Sequence, residues 1–181
     1  MKQFTNRTNT TISQVVDIHW QGDSVTILNP HAESGIAVTA QGGHVTINAA
    51  SGTANVVYSL SGASDNGSIT LNTDKKFILR LNGVQLTTAN NKPAVNVKDA
   101  KKCVVHLVEG TANSFLDNAS NTGKACFYSK GALEVQGTGS LSVVSLAVNG
   151  LQGKEAVSIL AGNTSISVSA AAAKAIKTDG N

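Results

Sequence analysis

Apolar and polar residues alternate in short stretches along the chain, and these stretches recur at a nearly constant distance. Each begins with a small residue followed by an apolar one. The starting residues are 33, 26, 31, 25 and 25 positions apart, and they are Gly35, Ser68, Ala94, Ala125, Gly150 and Ala175. Alternation with a period of two is typical of half-buried β-strands. A repeat of about 25 residues predicts a solenoid, in which each coil buries its apolar side chains against its neighbours.

Second and third strands follow the first within each repeat, and turn residues such as Asn66-Gly67 and Asn82-Gly83 separate them. Residues 137–143 match residues 162–168 at a spacing of 25. The chain is therefore predicted to be all-β: a single-stranded, right-handed parallel β-helix of roughly seven coils over residues 25–181. Residues 1–24 are predicted to form an N-terminal cap or the first coil. A β-sandwich is the alternative fold, but it does not explain the constant spacing.

The alternation also assigns residues to the two faces of the first predicted sheet. The residues predicted to stack inward are Ile36, Ile69, Val95, Cys126, Leu151 and Ile176. The residues predicted to form an outward stripe are Ala37, Thr70, Asn96, Phe127, Gln152 and Lys177. In this register Tyr128 lies in the core. Trp20 precedes the clear repeat, so it is predicted to cap the first coil.

Composition supports a turn-rich β protein, because charged residues make up 14% of the chain, aromatic residues 4%, and 17 residues are glycine. The net charge is +3. Nine basic residues lie between Lys75 and Lys130, against only Asp99, Glu109 and Asp117. This excess attracts anionic partners, although such lysines also keep exposed strands apart. Nucleic acid is not an expected partner, because the chain has neither an arginine cluster nor the motif of a known nucleic-acid reader.

The cysteines and the chain start restrict the class of protein further. Cys103 and Cys126 fall in apolar strand patterns and do not form a metal-binding motif, so free buried thiols are expected, with a disulfide between them left open. No apolar run approaches membrane-spanning length, and residues 1–20 lack the apolar segment of a signal peptide. Membrane insertion is therefore not expected, and the chain is compatible with the mature part of an exported protein.

Several motifs in order resemble a known bacterial family. They are Tyr58-Ser59-Leu60-Ser61-Gly62, Leu79-Arg80-Leu81-Asn82-Gly83-Val84, Pro93-Ala94-Val95-Asn96-Val97, Glu109-Gly110-Thr111-Ala112-Asn113-Ser114, Leu116-Asp117, Tyr128-Ser129-Lys130-Gly131 and Gly137-Thr138-Gly139-Ser140-Leu141. From about Val25 to the C-terminus, the chain resembles the bacterial carbohydrate-binding β-helix family that is similar to polysaccharide lyases. The resemblance implies an extracellular or cell-surface protein that binds cellulose or acidic plant polysaccharides such as pectin, with bound calcium.

Two positions depart from the pattern of that family. The chain has Gln152-Gly153-Lys154-Glu155 where relatives tend to have an acidic turn, and Lys174-Ala175-Ile176 replaces an Asp-Gly-Ile pattern. Calcium takes six to eight oxygen ligands, usually from several carboxylates. The resemblance thus implies calcium as a cofactor, whereas the loss of these acidic residues argues against it.

A ligand-binding site is predicted on the outward stripe. Sugar sites commonly combine an aromatic platform with amides and charged groups, and Phe127 is predicted between Asn96 and Gln152 on adjacent coils. Lys98 is close in sequence to Asn96, and Lys124 is close to Phe127, so both lysines would hold a carboxylate of the ligand. The alternative is that Phe127 packs under a loop. If the stripe binds sugar, Phe127→Ala is expected to weaken binding without affecting folding.

Three functions follow from these patterns. The first is a non-catalytic carbohydrate-binding protein of the bacterial surface or exterior. The second is a structural or adhesive solenoid that contacts protein. The third is a polysaccharide lyase, but the acidic residues are scattered singly, and no lysine stands out as the base such an enzyme needs. An open last coil exposes an unpaired strand edge, so either end-to-end self-association or further sequence after Asn181 is also expected.

Overall fold

The computed structural model describes residues 14–160 and 165–180 and consists almost entirely of β-strands. Its one short helix in the described ranges is a 3₁₀ turn at Ala32–Ser34. The strands are β1 Gln14–Gln21, β2 Ser24–Leu28, β3 Ile36–Gln41, β4 His44–Ala49, β5 Val56–Ser64, β6 Ser68–Asn72, β7 Phe77–Thr87, β8 Val95–Asp99, β9 Lys102–Leu107, β10 Ala112–Leu116, β11 Ala125–Ser129, β12 Ala132–Gly137, β13 Ser140–Ser145, β14 Asn149–Gly153, β15 Val157–Ile159, β16 Ser165–Ala170 and β17 Ile176–Thr178.

These strands form a parallel β-solenoid of about five turns, which confirms the predicted fold. The seven-stranded sheet has the order β17-β14-β11-β8-β6-β4-β3. The ten-stranded sheet contains β15-β12-β9-β7-β10-β13-β16, and it is extended by β5, β1 and β2. Two pairings in the described part of the chain are antiparallel, β1 with β2 and β3 with β4, and the others are parallel. The β-sandwich alternative is therefore wrong.

The prediction of roughly seven coils is too high, because the beginning of the chain forms hairpins instead of complete coils. Each hairpin has a two-residue turn, with Gln21 paired to Ser24 and Gln41 paired to His44. The first turn residues, Gly22 and Gly42, have φ of 62° and 56°. Glycine with a positive φ at this position is typical of type II′ turns, which reverse the chain directly. Strands β2 and β3 consequently end their sheets with antiparallel pairings.

The predicted cap at residues 1–24 is described only from residue 14 onward; residues 1–13 lie outside the described residues. Strand β1 pairs in parallel with β5, so it extends the ten-stranded sheet. Trp20 on β1 is buried, and its Nε1 donates a hydrogen bond to the carbonyl oxygen of Gly43 at 2.8 Å. This side chain thus joins the first hairpin to the second.

The core is a continuous apolar stack that runs along the inside of the coils. Ile69, Val95 and Leu151 are fully buried at paired positions, as predicted. Ile176 continues the stack in β17 but is 43% exposed, because no described strand pairs with the far side of β17.

The predicted register of β11 is wrong by one residue. Phe127, rather than Cys126, pairs with Val95 and Leu151 in the inward stack, and its ring is fully buried. Tyr128, predicted to lie in the core, is half-buried on the outer face instead. Four consecutive residues, Ala125 to Tyr128, are apolar or aromatic, so alternation within β11 alone does not identify its inner face.

Both cysteines are free and buried, as expected, which answers the open question of a disulfide. Burial raises the pKa of both thiols. Cys126 lies at the start of β11, where the negative charge of Asp117 raises its pKa further. Neither thiol therefore has the environment of a reactive nucleophile.

Candidate functional site

A column of polar side chains crosses the outer face of the seven-stranded sheet. The strand pairings align one outward residue from each of six strands, and we call this set the outward column. It consists of Thr46, Thr70, Asn96, Tyr128, Gln152 and Lys177. Neighbouring members are about 4.8 Å apart, the spacing of paired strands. Four of the six predicted stripe residues lie in this column, while Thr46 and Tyr128 replace Ala37 and Phe127.

At the end of the column that contains β14 and β17 lies an open cleft of about 370 Å³. The polar side chains that line it are Lys124, Asn149, Gln152, Lys177 and Asp179. They come from the loop before β11, from β14 and from the last coil. We call this feature the lysine cleft, because two lysines on different coils contribute its positive charge.

Asn149 joins three successive coils at the lysine cleft. Its Nδ2 donates hydrogen bonds to the carbonyl oxygen of Lys124 at 2.8 Å and to Oε1 of Gln152 at 3.1 Å. Its Oδ1 accepts a hydrogen bond from the backbone nitrogen of Lys174 at 3.1 Å. These contacts fix the loops that carry the cleft residues and orient the amide of Gln152.

Gln152 and Lys177 both donate hydrogen bonds to the carboxylate of Asp179. Gln152 Nε2 lies 3.0 Å from one oxygen, and Lys177 Nζ lies 3.0 Å from the other. The hydrogen bond from Lys177 lowers the pKa of Asp179 most strongly, and the charges of Lys177 and Lys124 and the hydrogen bond from Gln152 add to this effect. Gln152 is only 1% exposed although it points outward, so neighbouring side chains cover it.

Tyr128 supplies the aromatic surface of the outward column. The Nζ atom of Lys124 lies 5.5 Å from the centre of its ring, within the range of a cation–π interaction. The ring is half-buried between Asn96 and Gln152 on the adjacent strands. An aromatic ring, amides and a cation are thus adjacent on one face of the solenoid.

The structure brings together some of the predicted site residues but not all of them. Lys124 and Gln152 line the cleft, and Asn96 is next to Tyr128 in the outward column. Lys98 is exposed at the other end of β8 and does not line the cleft. Phe127 lies on the opposite side of the sheet, in the core, so its predicted outward position is wrong.

The prediction missed Tyr128, Asn149 and Asp179 as site residues. Tyr128 would have been found with the correct register of β11. Asn149 was detectable only as the polar residue before the small residue Gly150 in the repeat. Asp179 follows β17, and its contact with Gln152 spans 27 residues, a distance close to one coil, but alternation does not indicate such a pair.

Several acidic side chains in the described ranges are held by hydrogen bonds or ion pairs within the protein. Among the described residues, no three His, Cys, Asp or Glu side chains form a group that could hold a metal ion. Asp74 accepts hydrogen bonds from Ser51 and Gly52, and Asp99 pairs with Lys130.

The described part of the chain contains no helix with the length and apolar character needed to span a membrane.

Two of the histidines join coils. The Nδ1 atoms of His19 and His44 are hydrogen-bonded to the hydroxyls of Ser61 and Ser68 at 3.0 and 2.9 Å. Burial lowers the pKa of His44, and the charge of Lys92 lowers it further. These contacts are structural and lie outside the cleft.

Comparisons with known proteins agree with this architecture. A family model described as carbohydrate-binding domain-containing protein matches residues 41–181. A protein of the same description from Acetivibrio thermocellus is 29% identical over 120 residues, which is 61% of this chain and 42% of that protein. The chain therefore spans less than half the length of this curated relative.

A solved structure shows the same fold. It is a gadolinium derivative of a polysaccharide lyase-like protein from C. thermocellum, with a TM-score of 0.63 and 19% sequence identity. The match covers 92% of this chain and 95% of that one. At this identity the likeness concerns the fold alone.

Proposed function

Because the chain belongs to the family of carbohydrate-binding domain-containing proteins, we propose that it binds an acidic polysaccharide at the lysine cleft and the outward column. We propose further that it does so at the bacterial surface or exterior and without catalysing a reaction. The observation that carries this proposal is the meeting of Lys124 and Lys177 with Gln152 beside the ring of Tyr128.

Each group in the arrangement has a role in binding a sugar acid. A sugar ring that packs on Tyr128 buries apolar surface on both partners. Because Lys124 Nζ lies over the same ring, the sugar brings its carboxylate within reach of that cation. Asn149 and Gln152 are hydrogen-bonded to each other and to neighbouring coils, so they hold the cleft residues in place around the ligand. The site thus offers an apolar surface and positive charge to a single residue of the polymer.

The outward column supports an extended ligand. Asn96, Thr70 and Thr46 continue away from the cleft along the solenoid axis at the strand spacing of about 4.8 Å. Their amide and hydroxyl groups are half-buried and face outward. A polysaccharide that lies along the axis would meet one polar side chain per coil, with its acidic group at the lysine end.

Tyr128→Ala tests the proposed site, and we expect it to weaken binding of tetragalacturonate by roughly tenfold, which is typical of losing a tyrosine at the centre of an interface. Folding should be retained, because the ring is on the outer face. Isothermal titration calorimetry with tetragalacturonate and cellotetraose measures binding, and circular dichroism checks folding. Thr26→Ala is the control, since Thr26 is exposed on β2 in the ten-stranded sheet, away from the outward column.

Failure of the wild-type protein to bind pectin fragments, cellulose or neutral glucans at low salt would contradict the proposed function. In that case the alternative of an adhesive or structural solenoid is favoured. One observation supports it: apolar side chains on the last coil are exposed, with Ile159 at 47%, Leu160 at 45% and Ile176 at 43%. Under that alternative, Tyr128→Ala has no effect on glycan binding, and the end of the solenoid contacts protein or a second copy of the chain.

Incubation with polygalacturonate tests the lyase alternative. A lyase leaves unsaturated ends, which absorb ultraviolet light, whereas a binding protein leaves the polymer intact. We expect no rise in absorbance over hours with calcium present, because Lys177 is paired with Asp179 and Lys124 lies over the ring of Tyr128, so neither lysine is placed as a free base. A rise that Lys124→Gln abolishes would replace the binding proposal with catalysis.

A further inference from the structure

The carboxylate of Asp179 occupies the positively charged end of the lysine cleft. Lys177 Nζ contacts one of its oxygens at 3.0 Å, and Gln152 Nε2 contacts the other at 3.0 Å. The charge of Lys124 also acts on this carboxylate and helps to lower its pKa. The protein therefore already holds one carboxylate at the place where its cleft is most favourable to an anion.

The same donors are those that the carboxylate of a bound sugar acid would need. Ammonium and amide N–H groups are the side-chain donors of the cleft, and those of Lys177 and Gln152 already serve Asp179. Two cations face one anion there, so the cleft retains an attraction for a further negative charge. A ligand carboxylate and Asp179 cannot share all of these donors, and they also repel each other.

Asp179 is placed so that its side chain is able to leave. It follows Thr178, the last residue of β17, and its side chain is 34% exposed. Its backbone is held independently, because the nitrogen donates a hydrogen bond to the carbonyl oxygen of Lys154 at 3.1 Å. Rotation of the side chain into solvent therefore breaks no strand pairing.

We propose that Asp179 is an internal substitute for the ligand carboxylate, and that an acidic saccharide binds by displacing it from Lys177 and Gln152. This inference rests on the proposed function of the same site. It assigns Asp179 a role in specificity: the residue weakens the binding of acidic ligands, and only those that bring their own carboxylate release Lys177. The opposite role, in which Asp179 accepts hydrogen bonds from sugar hydroxyls, predicts the opposite effect of its removal.

Asp179→Asn decides between the two roles, because it keeps the shape of the side chain and removes its charge. We expect tetragalacturonate to bind about fivefold more tightly, the effect of removing one exposed competing ion pair. Cellotetraose, which is neutral, should change by less than about twofold. Isothermal titration calorimetry at low and high salt measures both affinities, and the gain for tetragalacturonate should shrink as salt increases.

Asp99→Asn is the matched control, since Asp99 pairs with Lys130 outside the cleft and the variant carries the same change in net charge. Weaker binding by Asp179→Asn, or an equal gain in Asp99→Asn, would overturn the inference. If the wild type binds tetragalacturonate and Asp179→Asn binds it no better, the inference fails while the proposed function stands. If neither protein binds any acidic saccharide, the proposed function fails and the inference fails with it.

Discussion

Phe127→Ala is expected to lower the free energy of unfolding by about 3–5 kcal/mol, the usual cost of removing a buried phenylalanine ring. The ring is fully buried in the inward stack, between Val95 and Leu151 on the neighbouring coils. It also makes an edge-on contact with Phe115, with ring centres 5.6 Å apart and planes at 85°. Truncation removes both contacts and leaves a cavity that the neighbouring coils on either side cannot fill.

Urea unfolding followed by circular dichroism measures this loss, and Tyr128→Ala provides the comparison from the next position in the same strand. Because Tyr128 is on the outer face, its truncation should cost about 1 kcal/mol or less. The sequence alone predicts that Phe127→Ala weakens binding and leaves folding intact. In the structure Tyr128 is the outward residue and Phe127 is the core residue, so we expect that behaviour of Tyr128→Ala instead. If Phe127→Ala proved as stable as the wild type, β11 would instead have the register predicted from the sequence.

The repeat predicted the fold because successive coils of a solenoid repeat the same pattern of inward and outward residues. Each coil supplies inward apolar residues at alternate positions of its strands, so Ile69, Val95 and Leu151 recur as a periodic pattern along the chain. The pattern does not identify the inner face where residues on both faces of a strand are apolar or aromatic. In β11 the consecutive residues Cys126, Phe127 and Tyr128 are all compatible with burial, and only pairing with the adjacent strands identifies the inward one.

The hairpins at the beginning of the chain were missed for a different reason. Their strands alternate like those of the coils, so alternation cannot show whether a strand pairs in parallel or antiparallel. The two-residue turns at Gly22 and Gly42 reverse the chain and so produce the antiparallel pairing. Gly42-Gly43 is a typical turn sequence, but turn residues alone do not distinguish a hairpin from the corner of a coil.

The candidate site was predicted in part because its residues are positioned in two different ways. Gln152 and Lys177 lie in strands, where the repeat places them on the outer face. Asn149 and Asp179 act through contacts between coils, such as the bond from Asn149 to the carbonyl oxygen of Lys124, 25 residues earlier. Asn113 is similar, because its Oδ1 accepts hydrogen bonds from Gly83 and Val84 on another coil. Such partners depend on loop conformation, which strand periodicity does not specify.

Replacing both cleft lysines, Lys124→Gln with Lys177→Gln, is expected to reduce the affinity for tetragalacturonate by roughly 30- to 150-fold at low salt. Each lysine contributes a charge-assisted hydrogen bond to the ligand in the proposed complex. At an exposed site such a bond is worth about 1–1.5 kcal/mol, toward the lower end of its range, and two of them give this factor. Glutamine keeps most of the length of the side chain, so the loss reports on charge. Affinity for cellotetraose should change little.

Salt dependence and a matched double variant separate binding at the cleft from general attraction to a basic protein. Lys75→Gln with Lys130→Gln removes the same charge from lysines that pair with Asp74 and Asp99 outside the cleft. At moderate salt, where distant charges are screened, this control should bind tetragalacturonate within about threefold of the wild type, while the cleft variant should still bind more weakly. An equal loss in both double variants would show that net charge, and not the lysine cleft, attracts the polymer. A loss confined to Lys124 and Lys177 requires that the ligand's carboxylate lie between β11 and β17, because those strands position the two lysines.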